Sequence, residues 1–359
     1  MSIHFVYAAT PAMDRASAMA ARAIRRLQRG GVPWSLVGRR EAVDTSGWHI
    51  RAPFTITDRL YAAFRERART LLYDWTERVP IRGGKKDLLV GHPYPGDGGE
   101  VWNRACLEGG FGLRIALFPI SHRMAEVNSF FEPYVPRVDR ILGIMGPYWY
   151  ETLDRSPFTH WKEKIVRLDM AIDSRRFPRV KRRFNPPGRR KFLYIGGAGA
   201  QKGTHLLSIL FGLAPAHRCL WIGTGAGVPN IEHRPWVRLE GDALSSLAEE
   251  CDVFLTMGVS DANPTTILEA MAWGFPVCCT PESGYAGMPE IVTMSVTDMR
   301  HNREVLDRMQ EAPEEVLLAQ ADRARQLVES EYTWERFTGT VLGAIEAAAR
   351  EKGIDPWGP

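Results

Sequence analysis

The chain contains a series of short apolar runs separated by turns and amphipathic stretches, and this alternation restricts the fold more than any other feature. Apolar runs of this length that alternate with helical segments are typical of buried parallel strands in βαβ units. The first run, at residues 3–9, is followed by an amphipathic stretch at 17–30 and by WSLVG at 34–38. Further runs are DLLVGH at 87–92, RIALFPI at 114–120, RILGIM at 140–145 and KFLYIGG at 191–197. The sequence therefore predicts an α/β protein with two doubly wound, Rossmann-like domains that face a cleft.

The length of the chain agrees with two domains. A single hydrophobic core stops growing at about 250–300 residues, and this chain has 359. We expect a first domain over residues 1–174, a basic linker over 175–191 and a second domain over 192–334. A closing helix at 335–350 is expected to pack back on the first domain.

Charge is distributed unevenly along the chain. Residues 1–191 hold 34 Lys and Arg against 19 Asp and Glu, whereas residues 192–359 hold 12 against 23, so the net charge of +4 conceals a basic first half. A basic domain attracts anionic partners, such as a lipid-linked phosphate at a membrane surface or DNA. Nine of the cations lie in the 175–191 segment, which is also typical of a solvated linker. Arginines in the helix-like stretch 59–72 also fit a solvated helix face.

Several protein classes are disfavoured by composition. No apolar run approaches the roughly 20 residues of a membrane span, and the N-terminus lacks a basic leader. We therefore expect a cytoplasmic protein, with peripheral attachment to a membrane as an alternative. The five cysteines form no CxxC pair and are expected in the core. No DxD triplet is present, so no metal is expected at a diphosphate.

Residues 261–277, DANPTTILEAMAWGFPV, predict a short helix with an anion site at its start. Asn263 is expected as the N-cap, Pro264 as the first helical residue and Gly274 as the end. The unpaired N–H groups of residues 264–267 would favour a phosphate or diphosphate, because they add to the positive end of the helix dipole.

Two carboxylates flank this predicted anion site. Asp261 precedes the helix, and Glu269 lies one to two turns inside it. Alone, Glu269 would be a solvated helix residue. Because carboxylates accept hydrogen bonds from vicinal hydroxyls, the pair fits a ligand with a sugar on each side of a diphosphate. The segment therefore predicts a nucleotide-sugar site.

In this segment and in several others the chain resembles the retaining GT-B glycosyltransferases of family 4. The family has two glutamates separated by seven residues, followed by EAMA, a glycine and PV, and the chain has in these places Asp261, Glu269, Ala270, Met271, Ala272, Gly274, Pro276 and Val277. Other matching stretches are 192–203, 219–227, 251–264, 284–292 and 331–337. The resemblance covers roughly residues 140–345. It implies a GT-B fold and transfer of a sugar from a UDP- or GDP-sugar to a hydroxyl acceptor, without a metal.

The resemblance also implies roles for individual residues. Lys202 and the helix start at Pro264, Thr265 and Thr266 would hold the diphosphate, and Glu269 the ribose. Asp261, with the backbone near Asn263, would hold the donor sugar, and Gly196, Gly197 and Gly223 would form turns beside it. Asp261, Lys202 and His122 are the expected catalytic groups. The chain departs from the family at Asp261, usually a glutamate, and at Gly197, usually an arginine.

The acceptor side is less determined by the sequence. His92 and His122 each follow a predicted strand, and the family often places a histidine near the donor sugar. His122 is slightly preferred, although a structural histidine fits equally well. Asp14 and Arg15 are candidates for an acceptor loop. An anionic acceptor is favoured, either a lipid- or phosphate-linked glycan or DNA with a modified base. The alternatives are a GT-B nucleotide-sugar epimerase and a non-catalytic nucleotide-binding scaffold.

Overall fold

The computed structural model describes residues 1–9, 52–96, 98–123, 125–285 and 287–358. Within these ranges, twelve strands form two six-stranded sheets, and every strand pair is parallel. Asp14 and Arg15 lie outside the described residues, as do the helix and strand predicted at 17–30 and 34–38.

The first sheet has the strand order β2-β1-β3-β4-β5-β6. Its strands are β1 (Ser2–Tyr7), β2 (Arg69–Asp74), β3 (Leu88–Gly91), β4 (Leu113–Pro119), β5 (Arg140–Ile144) and β6 (Ile165–Leu168). The helices between them are α1 (Ala52–Arg65), α2 (Val101–Glu108), α3 (Ala125–Phe131) and α4 (Gly146–Thr152). Because the strands are parallel, their carboxyl ends meet at one edge of the sheet.

The prediction that residues 59–72 are helical is wrong for the last part of that stretch. Helix α1 ends at Arg65, and strand β2 begins at Arg69. Leu71, Leu72 and Tyr73 form a continuous apolar run, and each is buried in the sheet beside β1. Burial on both faces of a parallel strand therefore decides the local structure, against the helical pattern of the preceding residues.

The second sheet has the order β12-β11-β10-β7-β8-β9. Its strands are β7 (Lys191–Ile195), β8 (Arg218–Gly223), β9 (Glu232–Pro235), β10 (Val253–Thr256), β11 (Val277–Cys279) and β12 (Ile291–Thr293). Its helices are α5 (Thr204–Leu213), α6 (Gly241–Glu250), α7 (Thr265–Trp273), α8 (Met299–Glu311) and α9 (Glu314–Glu331). The order reverses between β7 and β10, and open α/β sheets bind ligands at such a switch point.

The last helix, α10 (Trp334–Glu351), returns to the first sheet. It packs against β4, β5, β6 and α1. The Thr333 side chain caps it by accepting a hydrogen bond from the backbone N–H of Arg336. Just before this cap, the carbonyl oxygen of Tyr332 accepts a hydrogen bond from the N–H of Ile172 at 3.0 Å. The chain therefore crosses between the two sheets twice, and the two crossings lie side by side.

The interpretation of the 175–191 segment as a solvated linker is wrong for three of its cations, Lys181, Arg190 and Lys191, which are buried. Lys181 is 1% exposed and forms an ion pair with Asp252 at 2.8 Å. Arg190 is also 1% exposed, and it donates hydrogen bonds to the carbonyl oxygens of Met309 and Gln310. Buried charges need such partners because the low-dielectric interior penalises an unpaired ion. The segment is therefore anchored to the second sheet.

Two predictions from composition can be compared with the structure. All five cysteines are free and buried, so the prediction that they are core residues is confirmed. Of the helices that the structure describes, none is both long enough and apolar enough to cross a lipid bilayer.

Candidate functional site

A cavity of about 480 Å³ lies between the carboxyl ends of the two sheets. Its lining from the second sheet includes nine residues singled out by the sequence or adjacent to them, namely Gly196, Gly197, Lys202, Thr224, Asp261, Asn263, Pro264, Thr265 and Thr266. From the first sheet it includes His92. Gly223, Glu269 and His122 do not line this cavity. The structure thus brings most of the predicted donor residues into one cleft.

The start of helix α7 lines this cavity through Thr265 and Thr266. The helix begins at Thr265, and Pro264 is the N-cap, with no side-chain hydrogen bond to the helix start. The predictions of Asn263 as the N-cap and Pro264 as the first helical residue are therefore wrong by one position. The reason is that Asn263 Oδ1 accepts a hydrogen bond from the N–H of Met170 at 2.5 Å. Gly274 ends the helix, as predicted, and it adopts the left-handed conformation.

Lys202 and Asp261 face each other in the cavity. Lys202 ends a single helical turn, Ala200–Lys202, after β7, and Asp261 lies on the loop after β10. Lys202 Nζ lies 2.6 Å from Asp261 Oδ2. The turn depends on Gly203, whose φ is +67°, and a Cβ there would lie 1.8 Å from the carbonyl oxygen of Met257. The cation expected at the diphosphate is thus already paired with the carboxylate expected at the sugar.

Two aromatic side chains fix the glycine turn after β7. The Trp221 indole N–H donates to the carbonyl oxygen of Gly196 at 2.8 Å, and the Tyr194 hydroxyl donates to that of Gly197 at 2.9 Å. Burial, reinforced by the charge of Asp261, raises the pKa of Tyr194, so its hydroxyl stays a donor. Gly223 stands behind this turn, and a Cβ there would lie 1.7 Å from the Gly196 carbonyl oxygen.

A second cavity of about 210 Å³ adjoins the first and shares Ala52, Met170 and Thr265 with it. Glu269 lines this second cavity and is 6% exposed, so the interpretation as a solvated helix residue is wrong. The other walls include Arg59, Arg176, Leu239, Glu240, Gly241, Leu244 and Trp334. Sequence reasoning missed this cavity. The available signal was the Gly-Asp pair at the start of α6, because Gly241 has a φ of +53° and lines the same cavity as Glu269.

Helix α4 of the first half holds the Asp261 loop in place. The Trp149 indole N–H donates to the carbonyl oxygen of Asp261 at 3.0 Å. Beside it, the Tyr148 hydroxyl donates to Glu282 Oε1 at 3.2 Å, and Arg123 forms an ion pair with Glu282 at 2.9 Å. The position of Asp261 therefore depends on contacts that cross the cleft.

His122 supports helix α4 at the side of the cleft. Its Nε2 lies 2.7 Å from the Thr152 hydroxyl, and its ring packs edge-on against Trp149 at 4.8 Å between centroids. Burial, with the nearby charge of Arg123, lowers the pKa of His122. His122 thus contacts the residue that holds Asp261, while the cavity itself is lined by His92.

His92 lies at the end of β3, inside a ring of aromatic side chains. Tyr7, Trp75, Phe118 and Phe131 lie within 6.4 Å of it, measured between ring centroids. Burial lowers the pKa of His92 to about 4, so the imidazole is neutral at pH 7. Its Nδ1 is buried and has no hydrogen-bond partner among the described residues.

Comparisons with known proteins bear on the fold. No family model matches this sequence, and no curated protein matches it either. HepE from Anabaena, solved with UDP and glucose, is 10% identical with a TM-score of 0.56, covering 97% of this chain and 100% of HepE. Sucrose-phosphate synthase from Thermosynechococcus elongatus is 12% identical with a TM-score of 0.58, covering 97% of this chain and 99% of the synthase. TarM is 11% identical with a TM-score of 0.56, and the match covers 74% of this chain and 55% of TarM.

These likenesses, together with the two parallel sheets, define the class of fold. The chain has the α/β GT-B fold, in which two doubly wound domains face a cleft, and the prediction of the fold is confirmed. Of the part of the chain that the structure describes, no three His, Cys, Asp or Glu side chains lie close enough to hold a metal ion.

Proposed function

We propose that the protein is a retaining glycosyltransferase of family 4 type that moves a sugar from a nucleotide-sugar donor to a hydroxyl acceptor. One observation carries the proposal. The uncapped start of α7, Lys202 and Asp261 meet in one cavity at the switch point of the second sheet, and Glu269 lines the adjoining cavity. An anion site with a carboxylate on each side fits a diphosphate between two sugars.

The two cavities divide the donor between them. The ribose would bind Glu269, and the base would pack near Leu239 and Gly241 in the smaller cavity. The diphosphate would lie at the N–H groups of Thr265 and Thr266, and the donor sugar beside Asp261 in the larger cavity. We propose a UDP- or GDP-sugar as the donor. The UDP and UDP-glucose complexes of HepE, which has this fold, support UDP.

The reaction needs positioning and charge stabilisation, with no protein nucleophile. The acceptor oxygen bonds to the anomeric carbon on the face from which the diphosphate leaves, and the bond from that carbon to the diphosphate oxygen breaks. The acceptor proton passes to the departing diphosphate. Lys202 and the helix N–H groups stabilise the leaving charge, so we propose that no metal is required.

The proposal includes the acceptor class and the location. The basic first half favours an anionic acceptor, either a lipid- or phosphate-linked glycan or DNA with a modified base. We propose that the enzyme acts in the cytoplasm, and at the membrane surface if its acceptor is lipid-linked.

Donor consumption tests the proposed function. The protein would be incubated with UDP-, GDP- and ADP-sugars, with and without glycan and hydroxymethylated DNA acceptors, and nucleoside diphosphate release and sugar transfer would be measured by mass spectrometry. We expect release from one donor, lost in Glu269→Gln and kept in Glu249→Gln, whose glutamate is exposed on α6. An epimerised sugar without any acceptor would identify an epimerase. Nucleotide binding with every donor left intact would identify a scaffold.

A further inference from the structure

The wall that the first half contributes to the cleft carries no formal charge in the described residues. This wall consists of Tyr7, Ala52, Pro53, Ile56, Trp75, His92, Pro119, Ile144 and Met170. Most of these residues lie at or just after the carboxyl ends of β1 to β5. His92, the one titratable base among them, is neutral at pH 7 because burial lowers its pKa. The group that meets these described residues therefore finds no ionic partner among them.

Four described cations of the first half have partners of their own. Arg78 pairs with Glu100, Arg123 with Glu282 and Arg167 with Asp169. Lys164 donates to three backbone carbonyl oxygens just before β5, at the edge of the sheet opposite the cleft. The excess of basic residues in this half thus does not reach the cleft wall through these side chains.

Trp75 is the centre of an aromatic platform on this wall. It follows β2, and its backbone N–H donates to the carbonyl oxygen of Tyr7 at 3.1 Å. Its ring lies 5.3 Å from Tyr7, 5.0 Å from His92 and 5.4 Å from Tyr94, between centroids. Trp75 is partly exposed, whereas Tyr7 is 2% exposed and His92 is 9% exposed. A partly exposed indole held by buried rings is a stiff apolar surface for a flat ligand.

We infer that, within the proposed transferase, the part of the acceptor that enters the cleft is an uncharged sugar ring that stacks its apolar face on Trp75. This inference rests on the proposed function and names its substrate class at the reacting position. Any charge on the acceptor, such as a lipid-linked phosphate, then lies outside the described cleft. The acceptor hydroxyl would approach Asp261 and Lys202 on the facing wall.

A saccharide fits this wall better than an extruded nucleotide. A flipped base also stacks on aromatic rings, but it carries a phosphate on either side and needs cations within reach of the pocket. Lys202 is the one cation among the described residues that line the cavity, and it is paired with Asp261. A sugar ring needs no such cation.

Saturation-transfer NMR tests the inference without knowledge of the natural acceptor. The full chain, saturated with UDP or in a parallel series with GDP, would be mixed with methyl glycosides of glucose, galactose and mannose, with the corresponding sugar 6-phosphates, and with hydroxymethylcytidine monophosphate. We expect at least one methyl glycoside to bind, with an affinity that salt does not change. Trp75→Ala should weaken this binding by about tenfold, and Trp75→Phe by less than about threefold, because phenylalanine keeps a ring.

Control variants separate a local effect from unfolding. Trp357→Ala removes a partly buried indole that does not line the cavity and should leave glycoside binding unchanged. If Trp75→Ala does not fold, Trp75→Leu keeps apolar volume without a ring and should show the same loss.

Three results would overturn the inference. In the first, the phosphorylated probes bind and the glycosides do not. In the second, no glycoside binds up to about 10 mM. In the third, a glycoside binds but its affinity does not depend on Trp75. If UDP binds while the glycosides do not, the inference fails and the proposed donor site stands. If neither UDP nor GDP binds the wild-type chain, the proposed function itself fails.

Discussion

The two walls of the cleft differ in chemistry. The wall from the second sheet presents an ion pair and an uncapped helix start, and it is supported by Gly203 and Gly223, where a Cβ would collide with backbone. The described wall from the first sheet presents apolar and aromatic side chains without a charge. The comparison indicates a division of labour. Leaving-group chemistry requires particular polar groups at particular positions, whereas recognition of an acceptor ring requires mainly shape and apolar surface.

Removing Lys202 is the most severe test of this division. We expect Lys202→Ala to lower kcat by about 10²- to 10³-fold, because a positive group at the developing charge is lost. The partly buried Asp261 also loses its ion-pair partner. Steady-state kinetics of nucleoside diphosphate release would measure the effect. Lys86→Ala, on the exposed surface, is the matched control. A kcat equal to that of the wild type would show that the charge chemistry lies elsewhere.

Gly223→Ala tests how tightly the polar wall is built. The new Cβ would lie 1.7 Å from the carbonyl oxygen of Gly196, and backbone at both positions would have to shift. We expect the free energy of unfolding to fall by about 2–4 kcal/mol. Urea unfolding would measure it. Gly343→Ala is the control, since a Cβ there meets nothing within 4 Å and alanine favours helix α10 by about 0.5–1 kcal/mol. Equal stability of the two variants would contradict the prediction.

A pH titration probes the uncharged wall. The pKa of His92 falls from 6.5 to about 4 on folding, so between these values the unfolded chain binds a proton that the folded chain does not. The contribution of His92 to stability should therefore decrease by up to about 3 kcal/mol as the pH falls from about 6.5 to about 4, and it should stay constant below that.

The variant His92→Phe isolates this contribution. Urea unfolding at a series of pH values should show a shallower loss of stability for His92→Phe than for the wild type. His205→Gln, on the exposed face of α5, should follow the wild type. Parallel curves for wild type and His92→Phe would mean that His92 does not cause the loss of stability between about pH 6.5 and about pH 4.

Asp261→Asn should give the smallest effect, and it should change UDP binding and sugar transfer in opposite directions. The change removes the carboxylate that pairs with Lys202, so a diphosphate no longer competes with it. We expect the affinity for UDP, measured by calorimetry, to rise about threefold to tenfold, a modest gain because both side chains are partly exposed. Sugar transfer should fall because the amide of asparagine accepts a hydrogen bond from a sugar hydroxyl less strongly than the carboxylate does. A loss of UDP affinity would contradict this prediction.

The sequence predicted the polar wall more fully than the apolar wall, for physical reasons. A helix that must start beside an anion needs a recognisable order of loop, proline and helix formers. The helix in residues 261–277 could therefore be predicted from the sequence, even though the N-cap was wrong by one position. Trp75 escaped notice because β2 directly follows a helical pattern, and only pairing with β1 decides its structure. The burial of Lys181 and Arg190 was equally invisible, since their partners, such as Asp252, are distant in sequence.

The side-by-side crossings at Ile172 and Tyr332 have a mechanical meaning. Two neighbouring covalent connections favour a hinge motion of one domain relative to the other about a single axis, and they oppose sliding and twisting. Such a motion would separate Trp149 from the Asp261 carbonyl oxygen and would release the Asp261 loop from one of the contacts that hold it. Substrate entry and product exit then require no change in the glycine turns of the second sheet. Their rates would depend on the contacts that cross the cleft on the side opposite this axis.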